Sequence, residues 1–507
     1  MQLKYDSDFC GSLPLNFINN IQSYGVLLVL EKETFRIVQC SQNTDEHLGI
    51  AHEQLVERKL SEFVTAENIA SMKAVFAPGI KEKLPFKLNF QTAEGPKPFL
   101  LLLHPGEEYW IAEIEPQLPW ELKDDTFIGV YHRIKHIMAA IESADSAMQL
   151  CNTAATALKE ISGFDRVMIY QFDEDWNGLV VAEELEEGME PYLALRFPAS
   201  DIPRQARALY ETNAYRLIPD RNYQAVKLYP VINPLTQTFV DLSACNLRAV
   251  AAVHLEYLQN MNAAASMSTR ILVNGKLWGL ISCHHRTSRA ISYEMCTVFE
   301  MLSDVISSKI ASLASDEQLR LRGRLQDIQS QLVEKIYRAD FISALTSTEP
   351  NILTLLNARG AVIVHNQLTE TVGNVPPADT IRDLVFWLQT RNLTETYATD
   401  AISEVYDHGY QHDEIASGMI VLPIRPDKGE FLIAFRPEVV REINWGGNPH
   451  ERIQFETDNK NYHPRNSFRL WQQTVKRTSL PWHSEEIAIA ESFRKILVSY
   501  INQKPYA

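Results

Sequence analysis

The sequence predicts an α+β protein of three tandem domains, each an antiparallel sheet with flanking helices, joined by a long helix. Three observations carry that expectation. The chain has 507 residues, a length that suits roughly three domains. Its strand-like segments fall into three clusters rather than alternating strictly with helices, as a parallel sheet would require. Between Ile291 and Glu349 there is no proline, and apolar residues recur three and four apart, the period of a helix face.

Bulk chemistry narrows the function classes. Hydrophobic residues make up 45% and charged residues 22% of the chain, the composition of a globular protein with ample core. A net charge of -16 and the lack of a long basic face argue against nucleic acid as a partner. Six cysteines (Cys10, Cys40, Cys151, Cys245, Cys283 and Cys296) are scattered with no CxxC pair. That usage fits reduced thiols in a cytoplasmic protein, not a disulfide scaffold or a zinc site, and no metal is expected. The start, "MQLKYDSDFC", lacks the basic and apolar regions of a signal peptide. Apolar runs such as "VLLVL" are too short to span a bilayer, so no membrane is expected.

The elements follow in order. Residues 1 to about 20 read as irregular. "YGVLLVLEKETFRIVQCSQNTDEHLG" reads strand, turn, strand, helix, and strands recur at "FKLNF", "FLLLLH" and "YWIAEIEP". The first domain is therefore placed at 1–125. A helix is expected at about 130–160, then a hairpin in "DRVMIYQFDEDWNGLVVAEE" with Asn177-Gly178 at its turn. In "RFPASDIPRQARALY", Pro198 and Pro203 stiffen the backbone around Asp201, ahead of a helix at 204–210; locally, Asp201 also reads as a helix cap. "STRILVNGKLWGLISCHH" is a second hairpin, with Asn274-Gly275 at its turn. The second domain is placed at 126–312. Val298, Leu302 and Val305, then Leu321, Leu325, Ile328 and Leu332, set the face of a helix of roughly 55 residues, about 80 Å long, whose length favours pairing with another subunit. Strands at "GAVIVH", "GMIVLPIR" and "EFLIAFRP" define a third domain, 313–507, with an insertion at about 440–480. A last helix follows, capped by Ser484, with a stripe of Ile489, Phe493, Ile496 and Tyr500. No GxxxxGK[ST], GxGxxG, HExxH, GxSxG or kinase core is present, so a binding or sensing module is expected in place of an enzyme.

"RFPASDIP" with "ARALY", "LRAVAAVHLEYLQNM", "LWGLISCHH", "WGGNP" and "PRNSF" together resemble, in content and order, a bacterial phytochrome. The resemblance covers essentially the whole chain and implies a PAS–GAF–PHY photosensory module that switches between red- and far-red-absorbing states. It implies a bilin in the middle domain. Such a ligand carries two propionates and a row of pyrrole nitrogens, and bidentate arginines suit carboxylates best. By resemblance, Arg216 and Arg248 take the propionates, with Ser266 and Ser268 as hydroxyl partners. Asp201, in the run with Ile202 and Pro203, offers its carbonyl to the pyrrole N–H groups, its carboxylate facing outward. His254 lies near the same nitrogens. His284 bonds the outer ring, within a pocket of Tyr170, Phe197, Tyr210 and Tyr257. Plant-type members attach the chromophore to a cysteine where this chain has Val253. Cys10 matches the N-terminal cysteine of bacterial members, with Pro14 and Ile21 at similar spacing. That implies thioether-linked biliverdin IXα and an N-terminal segment threaded as a figure-of-eight knot. Two positions depart from the family: "IQSYG" replaces "IQPHG", and Ala251 stands where a propionate-binding hydroxyl is common.

The insertion resembles the phytochrome tongue, carrying Trp445, Gly446 and Gly447, then Pro464, Arg465, Ser467 and Phe468. Arg465 is expected to pair with Asp201. "SFRLWQQTVKR" supports a strand through the alternation of Phe468, Arg469 and Leu470, and equally a helix through Phe468, Trp471 and Val475 on one face. Two periods of similar quality are what a bistable element needs. The resemblance further implies a homodimer through the helical spine and an output domain, a histidine kinase or diguanylate cyclase, C-terminal to the chain. Rival readings are a PAS–GAF sensor of another small ligand, which would not need Cys10 or "PRNSF", and a bilin-processing enzyme, which would need a redox-cofactor site.

Overall fold

The computed structural model describes residues 15–75, 83–106, 108–116, 127–338, 340–449, 454–455, 462–465 and 467–503. It divides into two compact units, residues 1–311 with 444–471, and residues 312–443 with 472–507. Cys10 and Pro14 lie outside the described residues.

In the first unit, two sheets dominate, antiparallel except where one strand joins the second sheet in parallel. One runs in the order Asn20–Ile21, Val226–Tyr229, Ile37–Ser41, Val26–Glu31, Tyr109–Pro116, Gly95–Pro105, Leu84–Thr92. Its second strand comes from a loop of the middle domain. Residues 16–22 run between two limbs of that loop. They pair with Val226 and Lys227 on one side and bond Leu242, Leu247 and Ala249 on the other. This is the threading that the resemblance implied.

The other sheet contains Tyr215–Ile218, Ala265–Val273, Lys276–His285, Arg166–Phe172, Gly178–Leu185 and Arg196–Phe197, and continues into Arg441–Gly446 and Leu470–Val475. The inserted segment is thus a hairpin added to the middle domain's sheet, Trp445 pairing in parallel with Arg196. Asn274 and Gly275 form a two-residue turn with φ of 52° and 75°, as their residue types favour. The turn at Asn177-Gly178 differs from expectation. It spans Asp173 to Asn177, organised by the Asp173 carboxylate accepting from the Asp175 and Asn177 amides, and Gly178 already lies in the strand.

Two helical expectations are corrected. The stretch at 130–160 is two helices, Phe127–Glu142 and Ala147–Ser162, because Ser146 caps the second by accepting from the Gln149 amide. The long helix spans 46 residues, Tyr293–Arg338, not about 55. Asp340 caps a new short helix, Phe341–Thr346, by accepting from the Ser343 amide.

In the second unit a five-stranded antiparallel sheet runs Leu368–Gly373, Gly360–His365, Glu430–Arg436, Gly418–Arg425, Tyr397–Thr399. One face packs on the last helix, Ser484–Gln503, through Ile489, Phe493, Leu497 and Tyr500. The other packs on Ala378–Thr390 through Ile381, Leu384 and Leu388. No helix among the described residues is long and apolar enough to cross a membrane. Cys40, Cys151, Cys245, Cys283 and Cys296 are buried free thiols.

Candidate functional site

A cavity of about 320 Å³ opens on one face of the middle domain's sheet, within the size range of small-molecule sites. Strand alternation builds that face. Side chains two apart point the same way, and the register sets Arg216 opposite Ser268, Ser268 opposite Ser282, and Ser282 opposite Met168. The next row joins Ile218, Ser266 and His284. All of these line the cavity, with Tyr170 from the following row. Two short helices close it. Ala252–Asn260 presents His254, Tyr257 and Leu258, positions i, i+3 and i+4, and Arg204–Thr212 presents Gln205, Ala206, Leu209 and Tyr210.

Polar groups in this cavity lack the partners that burial demands. Arg216 donates to the carbonyls of Asn246 and Arg248, and Arg248 to the carbonyl of Leu15. Neither arginine forms a salt bridge with a carboxylate among the described residues. Burial, then the repulsion of Arg216, pulls the Arg248 guanidinium down to about 9. Burial likewise lowers Arg216. The Nε of Arg248, Nδ1 of His284 and Oε1 of Gln205 are buried without a hydrogen bond among the described residues. Burial, with Arg216 as a lesser cause, pulls His254 down to about 4. Burial, then Arg166 and His254, pulls His284 down to about 3. Both imidazoles are therefore neutral here. The hydroxyls of Tyr210 and Ser268 bond each other at 2.6 Å, and Ser266 is buried beside them. Ala251 also lines the wall and brings no hydroxyl.

At the other end, Asp201 sits in a single 3-10 turn, Ala199–Asp201, as the flanking prolines require. The helix begins at Arg204 with Pro203 at its cap and no side-chain cap bond, so the local cap reading is corrected. The Asp201 carboxylate accepts from the Tyr257 hydroxyl at 2.8 Å and from Arg465 at 2.5 Å. Both side chains of that ion pair are 7% exposed. The carboxylate thus faces the inserted hairpin, not solvent. Burial pushes the Asp201 carboxyl up against the pull of Arg465. Burial opposes the Arg465 charge, but Asp201 and Tyr257 outweigh it and hold the guanidinium above its ordinary value.

The hairpin residues converge on the same corner. Arg465 also donates to the carbonyl of Gly446 and lies over the rings of Phe197 and Phe468, 5.3 and 4.9 Å from their centroids. Phe468 is buried edge-on against Tyr257 at 5.0 Å. Pro464 lines the cavity, Ile202 packs with this cluster, and Ser467 is exposed. The two glycines are dictated by space. A Cβ on Gly446 would lie 2.9 Å from the Phe197 ring, and one on Gly447, at φ +95°, would lie 2.2 Å from the Ser467 carbonyl. Trp445 is buried.

Sequence reasoning missed Gln205, Met168, Ser282, Tyr192 and Asn260. Asn260 donates to the Arg465 carbonyl at 3.2 Å, and Tyr192 stacks edge-on with Phe197 at 5.7 Å. Met168 and Ser282 were legible in principle, since they alternate with Tyr170 and His284 along their strands.

Comparison with known proteins follows the same outline. Residues 10–117 match the PAS fold, 147–310 the GAF domain and 325–505 the phytochrome region. The chain is 38% identical over 502 residues to cyanobacterial phytochrome B of Nostoc sp., covering 98% of this chain and 67% of that protein. It is 31% identical over 511 residues to a bacteriophytochrome of Xanthomonas campestris, covering 99% of this chain and 80% of that one. Among solved structures, the photosensory core module of a Stigmatella aurantiaca phytochrome superposes with a TM-score of 0.84 at 33% identity, covering 98% of this chain and 99% of that one. A bacteriophytochrome from R. palustris superposes at 0.85 and 31% identity, covering 98% and 100%. The chain spans about two thirds of the length of the cyanobacterial relatives it matches.

Proposed function

The chain belongs to the phytochrome family, and from that premise we propose that it is a red/far-red photoreceptor module holding biliverdin IXα in the cavity of its middle domain. The observation that carries the reading is the pair of arginines, half-buried Arg216 and buried Arg248, that repel each other beside the cavity with no carboxylate bonded to either among the described residues. Such a pair costs free energy unless an anion joins it, and two propionates supply the missing charges. The orphaned polar atoms of His284, Gln205 and Arg248 fit a ligand with a polar edge and two acidic arms.

When bound, the bilin supplies visible absorption and a double bond that isomerises between Z and E. The chain's residues do the rest. Arg216 and Arg248 hold the propionates, helped by Ser266 and Ser268. Asp201, through its carbonyl, and His254 face the pyrrole nitrogens. His284, neutral, hydrogen-bonds the outer ring, and Tyr170, Phe197, Tyr210 and Tyr257 wall it. Cys10 forms the thioether. Leu15 and Ile18 line the cavity, and five residues upstream of Leu15 reach at most about 17 Å. The hairpin with Arg465 and Phe468 reads the state of this corner. Domain limits at 125 and 312 belong to the same reading, as does an output domain, a histidine kinase or diguanylate cyclase. A homodimer along the long helix is supported by exposed Met301, Leu319 and Tyr337, spaced 18 residues, or five turns, apart.

The test is an absorption spectrum of the purified chain with biliverdin before and after red light. A red band near about 700 nm, the family-scale expectation for a bound bilin, that bleaches and gives a far-red band supports the reading. Covalent attachment should be lost in Cys10→Ser. Binding with no light-induced change would return the chain to a PAS–GAF sensor of another ligand.

A further inference from the structure

Away from the cavity, three ligand-type side chains meet under the threaded loop. His104 and Glu113 stand on adjacent strands, Gly95–Pro105 and Tyr109–Pro116. Leu102 is the register partner of Glu113, so His104, two residues on, shares its face. Cys245 reaches them from the loop limb that grips residues 16–22. Their ligand atoms all lie within 4.8 Å of one another. The His104 Nε2 is 3.2 Å from Glu113 Oε1 and 3.7 Å from Cys245 Sγ. None of the three is more than 2% exposed.

We propose that His104, Glu113 and Cys245 form a structural site for a zinc-class divalent metal ion that staples the threaded loop to the first domain's sheet. Both separations from the His104 nitrogen fit a shared ion. With Zn–N and Zn–O near about 2.1 Å and Zn–S near about 2.3 Å, tetrahedral angles set N···O at about 3.4 Å and N···S at about 3.6 Å. A charge-assisted pair would instead close to about 2.7–2.9 Å. One nitrogen also faces both the carboxylate and the thiol, more than a single proton or lone pair satisfies. The second carboxylate oxygen is taken by the Leu247 amide at 2.6 Å, which aims Oε1 at the other two groups, as outer contacts of metal ligands do.

Imidazole, thiolate and carboxylate suit zinc and its first-row neighbours, not magnesium or calcium. Loading breaks the Cys245 S–H bond, sends its proton to solvent and forms the sulfur–metal bond. The thiolate and the Glu113 carboxylate together neutralise the dication. Lys83, half-buried nearby, already donates to the side chains of Asn213 and Asn246 at 3.0 and 2.8 Å. No CxxC spacing announces the site, because the fold brings Cys245 to His104, 141 positions away in the chain, and closing so long a loop is where a metal clip stabilises most.

The full chain, expressed with zinc sulfate and exchanged into zinc-free buffer, is analysed by mass spectrometry for metal. About one zinc per chain is expected, falling more than tenfold in His104→Gln and in Cys245→Ser. Wild-type chain without zinc, or both variants retaining it, overturns the proposal. Should the variants fail to fold, zinc-edge X-ray absorption of the wild type decides. One sulfur at about 2.3 Å beside nitrogen and oxygen at about 2.1 Å supports the site, and a shell without sulfur overturns it.

Discussion

Asp201 is a carboxylate withdrawn from water whose charge rests on Arg465 and the Tyr257 hydroxyl. Removing one partner of a buried pair typically costs about 3–5 kcal/mol, because the other charge is left alone. Arg465→Ala should therefore loosen the hairpin at residues 444–449 and 467–471, seen as faster amide hydrogen exchange, and weaken the light-driven change in solution scattering. An unchanged light-minus-dark scattering profile would sink that prediction. Arg465→Lys should fall between the two, since an ammonium lacks the planar fork that reaches both Asp201 and the Gly446 carbonyl. His254 and His284 give a pH prediction. Their folded values, about 4 and about 3, lie below the ordinary 6.5, so the unfolded chain binds more protons between these limits. Stability then falls as pH drops below about 6.5, by about 2 kcal/mol per histidine at pH 5. A thermal melting series on the ligand-free chain from pH 7.5 to 5 checks it, and His254→Gln should flatten the slope. The position of Asp201 in a stiff turn was legible from Pro198 and Pro203. The direction of its carboxylate was not, since the partner lies 264 residues away and no local rule orients a side chain towards it.

Among elements, the inserted hairpin shows how a sequence with two periods resolves. Leu470–Val475 is a strand, although Phe468, Trp471 and Val475 also suit a helix face. What decides is the neighbour: Trp445 pairs with Arg196, and the Gly447 amide donates to the Arg469 carbonyl at 2.8 Å. Gly446 makes that approach possible. Gly446→Val would drive its side chain into the Phe197 ring, so the hairpin should undock, with proteolysis between residues 444 and 471 accelerated at least tenfold at fixed protease. Equal cleavage rates for wild type and variant would count against steric docking. Elements whose signals are local, such as the Asn274-Gly275 turn and the last helix, were readable from the chain alone. Those set by distant partners were not. The loop strand Val226–Tyr229 belongs to the first domain's sheet, and only threading puts it there. The long helix was overestimated because periodicity continues past Arg338, while the Asp340 cap that starts a new helix is a single residue between Ala339 and Phe341.

At the scale of the molecule, each of the two units has its own core, so each is expected to melt as its own cooperative transition. The second unit concentrates its risk at one buried ion pair. Arg436 bonds Glu486 of the last helix at 2.7 Å, with side chains 6% and 3% exposed, lies 3.6 Å from the Trp482 ring centroid, and donates to the carbonyls of Asn357 and Pro481. It ties the sheet, the segment entering the last helix and that helix to one side chain. Arg436→Met strands Glu486 without its cation, a loss of about 3–5 kcal/mol. Replacing both partners by apolar groups removes the stranded charge, so Arg436→Met with Glu486→Leu should recover much of that loss, less the carbonyl contacts. Calorimetry on the two variants reads the outcome. The single variant should lower the melting of the second unit by several degrees and leave that of the first unit within about a degree. The double variant should climb back by at least half. A double variant no more stable than the single one would show that the carbonyl and ring contacts of Arg436, not its pairing with Glu486, hold the last helix to the sheet.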